Sequence, residues 1–178
     1  MKTQVRKSIF ETNSSSTHAV AISRKISKKS YPSSIHFGLF DESDYSVYAK
    51  DMEDRADFLY SQIIYLYDID EIEKYKQLII EYLNSVGVYE IEFERYYTRK
   101  NENGTIESNP WEMDICIDHD SVSMDFVKEI LSDKETFLEY LFGDNSCIIL
   151  GRDWSNIKWI KKEKESGSRI ISAYEYDY

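Results

Sequence analysis

The stretch from Ile72 to Gly87 constrains the fold most. Ile72, Tyr75, Ile79, Tyr82, Leu83 and Val86 recur at intervals of three and four residues, which places them on one face of an α-helix. Acidic residues crowd its first turn, where the helix dipole favours negative charge, and Gly87 stands where a left-handed cap would end it. A second periodic run, Met52, Ala56, Leu59, Ile63 and Leu66, predicts a helix over 51–67. Only Asp68 to Asp70 interrupts the two, so they are expected as packed neighbours with their apolar stripes in the core.

Beyond Gly87 the period changes to two. Tyr89, Ile91 and Phe93 alternate with Glu90, Glu92 and Glu94, and Trp111, Met113, Ile115 and Ile117 alternate with Glu112, Asp114, Cys116 and Asp118. The pattern predicts an antiparallel pair, one face in the core and one acidic face outward, joined by a polar connection through Asn103-Gly104 and Asn109-Pro110. Ser123 is placed to cap a helix from Met124, whose stripe runs through Val127, Ile130, Leu131, Leu138, Leu141 and Phe142 to Gly143, with a restart at Ser132-Asp133. Cys147 to Leu150 is wholly apolar, the mark of a central strand. Short strands are also expected at Ile35 to Phe40, Ile157 to Ile160 and Arg169 to Tyr176, an irregular acidic loop at Asp41 to Lys50, and a charged turn at Lys161 to Gly167. The whole reads as one α+β domain over residues 1–178: an N-terminal β-hairpin and a mostly antiparallel sheet with three to four helices packed on one side. Its 178 residues are enough for one sizeable core.

Charge is divided unevenly. The net charge of −11 conceals a head, residues 1–40, with seven Lys and Arg against one Glu, a balance of +6 that leaves −17 for the remainder. A basic head suits contact with phosphates, and an acidic body avoids free nucleic acid or docks on a basic protein; ordinary solubilising charge is the plainer account of the body. No apolar run approaches the roughly 20 residues of a membrane span, and no signal peptide leads the chain, so a soluble, intracellular protein is expected. Cys116 and Cys147 lack the spacing and companions of a metal site and read as buried thiols.

The chemistry concentrates at Val5 to Ile22, VRKSIFETNSSSTHAVAI. Two β-prone runs flank Thr12-Asn13-Ser14-Ser15-Ser16-Thr17, whose side chains bond their own backbone and support tight turns, so a hairpin over 4–23 is expected. Arg6, Lys7, Glu11 and His18 flank the turn. A turn alone would account for such a cluster through local side-chain-to-backbone bonds. Two or three such residues suffice for a turn, however, and here six stand in succession.

The run Arg6-Lys7-x-x-Phe10-Glu11-Thr12-Asn13-Ser14-Ser15-Ser16-Thr17-His18 resembles the opening of a group of small phage-encoded proteins. With its length, the chain looks like a type II-A anti-CRISPR protein that truncates the guide RNA of a type II effector nuclease. The resemblance implies a location in the cytoplasm of the bacterial host, a partner consisting of the effector with its bound guide RNA, and an N-terminal hairpin needed for cleavage. Cleaving RNA without a metal requires a base for the 2′-hydroxyl, an acid for the leaving oxygen, and donors for the charged transition state. On that basis Glu11 and His18 are the candidate acid–base pair, with Arg6 beside them at the phosphate. Lys7, Asn13, Ser14, Ser15, Ser16, Thr17, Arg24 and Lys25 form the candidate RNA-binding set, with no cofactor and no metal.

Two further constellations compete. Asp114, Asp118, His119 and Asp120, with Glu90, Glu92 and Glu94 on the proposed partner strand, suit Mg²⁺ or Mn²⁺. A solvated acidic face is the better account of them, since exposed sheet faces are commonly charged, and between the two stands a face that docks in a basic groove of the effector and so inhibits without catalysis. Trp154, Trp159, Tyr174, Tyr176 and Tyr178 can stack on bases or pack at an edge. His36 reads as structural.

Overall fold

The computed structural model describes residues 19–27, 30–40, 48–96, 98–100, 106–108, 124–149 and 162–172. They form an α+β fold whose centre is the helix α1, Met52–Leu66. Asp51 caps it, and the Asp54 carboxylate accepts the Asp51 N–H at 3.3 Å, closing a capping box. The sequence pattern predicts one apolar stripe on α1. The helix is instead buried on almost every side between Arg55 and Ile64, polar Ser61 and Gln62 included, because β-structure and three other helices surround it.

Helix α2, Ile69–Asn84, follows after a sharp break at Asp68, whose side chain accepts the Glu71 N–H at 3.0 Å. Ile72, Ile79 and Leu83 are buried, while Tyr75, Tyr82 and Val86 pack against the core at its edge. The Val88 N–H reaches Leu83 O and the Gly87 N–H reaches Asn84 O, both at 3.1 Å, around a φ of 89° at Gly87. This is a Schellman cap, and its left-handed residue is the glycine expected there.

The run from Met124 to Gly143 forms two helices, with the restart at Ser132-Asp133 that the sequence predicts. Helix α3, Met124–Ile130, ends before Asp133, which starts α4, Lys134–Phe142, by accepting both the N–H and the hydroxyl of Thr136 at 2.9 Å. Those bonds hold the Asp133 carboxyl below the ordinary carboxylate range. Aromatic contacts tie the layers together: Phe40 to Phe58, Phe58 to Phe126 and Phe126 to Tyr140, with ring centroids 5.2, 5.5 and 5.8 Å apart.

Two groups of strands pack around the helices. Strands β1 (Ala19–Ile22), β3 (Tyr48–Ala49), β7 (Cys147–Ile149) and β8 (Arg169–Ser172) form an antiparallel sheet in the order β3-β7-β1-β8. Val20 lies opposite both Ile148 and Ile171, and this side of the sheet, with Ile22, joins the helical core. On the other side Ala21, Cys147 and Ile149 make a smaller buried cluster. Burial of both faces explains why the central strands are continuous apolar runs.

The second group departs from expectation. Strands β2 (Ser34–Phe37) and β4 (Glu90–Phe93) pair in parallel, with α1 and α2 in the connection between them. Ile35, Phe37, Ile91 and Phe93 face the core, and Phe37 stacks on Phe93 at 4.9 Å. The antiparallel partner expected for β4, Trp111 to Asp118, lies outside the described residues. Thr98–Lys100 (β5) and Ile106–Ser108 (β6) form a small antiparallel pair. Tyr89, expected inward with Ile91, is 73% exposed, because the ladder with β2 begins only at Glu90.

Candidate functional site

Arg6, Lys7, Glu11, Asn13, Ser14, Ser15, Ser16, Thr17 and His18 lie outside the described residues. What the fold shows is the mount onto which that head runs. Strand β1, the expected return arm of the hairpin, is paired on both edges: with β7 from Ala19 to Ala21 and with β8 from Ala19 to Ile22. A strand has two hydrogen-bonding edges, and from Ala19 to Ala21 both are taken by β7 and β8. The remainder of the hairpin expected over 4–23 lies outside the described residues.

Arg24 and Lys25 lie at the opposite end of β1 from Ala19, about 10 Å or more along the strand at ~3.3 Å per residue. Both are exposed. Their backbone is pinned to the turn between α4 and β7. The Ser23 N–H donates to Ser146 Oγ (2.9 Å), and Ser146 Oγ in turn donates to Glu139 O (2.7 Å). The Asp144 N–H donates to Lys25 O, and the Ser27 N–H to an Asp144 carboxylate oxygen, both at 2.9 Å.

The register brings further charges to this end of the sheet. Arg169 pairs with Ile22 across β1 and β8, and its guanidinium forms an ion pair with Glu129 of α3. Glu139 of α4 is half-buried. Burial, then the neighbouring Glu135, raises the pKa of its carboxyl above the ordinary range, and the positive charges of Arg24 and Arg169 oppose that shift. Nothing in the sequence marks Glu129, Glu139 and Arg169 as a group, since only the pairing of β1 with β8 assembles them.

The acidic face is partly visible. Glu90 and Glu92 point outward from β4, His36 lies opposite Glu92 in the register, and His36 Nε2 stands 3.6 Å from Glu94 Oε2. Asp114, Asp118, His119 and Asp120 lie outside the described residues, as do Trp154, Trp159, Tyr174, Tyr176, Tyr178 and Cys116. Among the described residues no three His, Cys, Asp or Glu side chains converge as metal ligands. Cys147 is buried, and burial pushes its thiol up to about 11, so it stays protonated and unreactive at neutral pH.

Two interior groups escape the sequence pattern. The Arg55 guanidinium is only 5% exposed and donates to backbone carbonyls: Nε and Nη2 to Leu141 O (3.3 and 2.7 Å), and Nη1 to Lys50 O and Ser146 O. Leu141 is in the last turn of α4, where the negative end of the helix dipole compensates a cation. Tyr140 completes the joint by donating its hydroxyl to Arg55 O at 2.7 Å. Asp57 accepts the Gly38 N–H at 2.5 Å just after β2, and burial raises the pKa of its carboxyl. Each resembles a solvated helix charge in the sequence.

No helix among the described residues is long and apolar enough to cross a membrane. No family model, curated protein or solved structure matches this chain.

Proposed function

We propose that this protein is an anti-CRISPR factor that engages a type II effector nuclease in the bacterial cytoplasm and cleaves its bound guide RNA through residues Arg6 to His18. The observation that carries the reading is the run Phe10-Glu11-Thr12-Asn13-Ser14-Ser15-Ser16-Thr17-His18 within a head of charge +6. The body supports it in one respect: the head runs directly into β1, a strand held on both edges, so a reactive segment would be carried on a firm base. His18 and Glu11 would exchange protons with the 2′-hydroxyl and the leaving oxygen, and Arg6 and Lys7 would hold the phosphate. An acidic body repels free RNA, so cutting depends on the effector bringing the guide close.

The test uses substoichiometric protein and effector loaded with end-labelled guide RNA, with and without EDTA, read on a denaturing gel. A shortened guide that survives EDTA and is lost in folded His18→Ala and Glu11→Ala variants is expected. Full cutting by both variants would refute the acid–base roles of Glu11 and His18. Efficient cutting of naked guide RNA at physiological salt would refute the dependence on the effector.

The outward Glu90 and Glu92, with Glu94 beyond them, favour a second reading: a non-enzymatic inhibitor that sets this face in a basic nucleic-acid groove. Stoichiometry separates the two, since an enzyme inactivates many complexes and a plug only one.

A further inference from the structure

We infer that Arg24, Lys25 and Arg169 form a phosphodiester-binding edge which Glu129 and Glu139 hold closed in the free protein, and which opens when a nucleic-acid backbone replaces the two carboxylates. The inference deepens the RNA-directed reading above and rests on it for the identity of the polyanion.

The pairing of Ile22 with Arg169 sets the geometry. Ile22 faces the helices, and Arg169, opposite it, shares that side of the sheet. Arg24 follows two residues later, just beyond the end of β1, so both arginines emerge at one end of the β1–β8 ladder. Arg169 forms an ion pair there with Glu129 on α3, and the positive charges of Arg24 and Arg169 both act on Glu139 of α4. Lys25 extends the row outward. The backbone carrying Arg24 and Lys25 is fixed by bonds that involve neither side chain, from Ser23 to Ser146 and from Asp144 to Lys25. The cations therefore keep their places whichever anion they face.

The carboxylates are replaceable partners. Exposed ion pairs of this kind stabilise little, so giving them up costs little. Glu139 sits half-buried beside a second carboxylate, Glu135, and burial and that neighbour both disfavour its charge. A phosphodiester backbone offers each guanidinium a forked acceptor and releases condensed counterions as it binds. With Arg169 paired to Glu129 and Glu139 close by, the arginines bind that backbone only when its local concentration is high, the condition a docked effector would supply.

The test measures binding without cleavage: fluorescence anisotropy of a short labelled single-stranded RNA with the full chain, between about 50 and 200 mM salt. E129Q/E139Q is expected to bind roughly 2- to 10-fold tighter than the parent, the range set by freeing one exposed ion pair and removing a second carboxylate beside the arginines. Its dependence of log affinity on log salt should steepen by about 1.4 for two further phosphates. Adding R24A/R169A should erase the gain. E53Q/E81Q, which removes the same charge from exposed positions on α1 and α2, should gain far less, by the general loss of negative charge alone. Parental affinity in E129Q/E139Q, an equal gain in E53Q/E81Q, or a gain that survives R24A/R169A would each overturn the inference. If E129Q/E139Q fails to fold by circular dichroism, E129Q with R169A as its eraser repeats the comparison. A gated affinity with no cleavage of loaded guide would sink the nuclease reading alone; cleavage with ungated affinity would sink this inference alone.

Discussion

Replacing Arg55 by methionine removes the guanidinium while keeping most of the aliphatic stem. Three carbonyl oxygens, those of Lys50, Leu141 and Ser146, then lose a donor. Lys50 is exposed and water can reach its carbonyl, whereas Leu141 and Ser146 are buried. A buried acceptor left unsatisfied costs about 1–3 kcal/mol, so the two together cost about 2–6 kcal/mol. Burial also lowers the pKa of this arginine, and removing a desolvated cation returns part of the cost, leaving a net loss of about 2–4 kcal/mol. For a chain of this length that corresponds to a fall of roughly 4–16 °C in Tm. Arg55→Lys should lose nearly as much, because one ammonium cannot span three acceptors held by a planar fork. Urea denaturation followed by far-UV circular dichroism gives the answer: the midpoint should fall with the slope unchanged. A stability of Arg55→Met within about 0.5 kcal/mol of the parent would show that these contacts do not join α1 to α4 and β7.

Other consequences are as direct. Gly143→Ala should destabilise strongly, because an added Cβ would collide with Glu139 O, Ser146 Oγ and Ser23 O; thermal melting reads it, and an unchanged Tm would contradict that packing. Ser146→Ala should cost about 1–3 kcal/mol and speed hydrogen exchange at the Ser23 amide, which loses its acceptor. Asp57 has its folded pKa raised above the unfolded value near 3.8, so ionisation costs native stability as pH rises through the folded value. Asp57→Asn should therefore gain on the parent between pH 4 and pH 7 in urea titrations, and a constant difference would speak against a desolvated carboxyl. Asp133 is shifted the other way, so its contribution is present above the unfolded value and fades as pH falls through the folded one. Asp133→Ala should cost about 1 kcal/mol at pH 7 and less in acid, by the same titration.

Periodicity made the helices legible, and it did so best where end signals agreed with it. Asp68 and Gly87 bracket α2 with bonds of their own, so local chemistry decides where it stops. α1 was legible as a helix but not as the centre of the fold, because Ser61, Gln62 and Arg55 resemble solvent-facing residues until their partners are known. Strand pairing was the least legible. The alternation in β4 sets which side chains point inward, but it says nothing of β2 as the neighbour, nor of a parallel register. The two-residue β3 is too short to carry a period at all. At the candidate site, residue types suggested Arg24 and Lys25, while their opposing glutamates depend on which strands meet. No local signal encodes that.

The place of β1 in its sheet bears on how the protein is made. The ladder that flanks this strand joins residue 22 to residue 169, and its other neighbour is residues 147–149. During synthesis β1 leaves the ribosome long before β7 and β8, and such non-local pairing folds slowly. Until then the basic head hangs from an unpaired apolar segment. A truncation that removes β8 should leave one edge of β1 unpaired and the chain prone to aggregate.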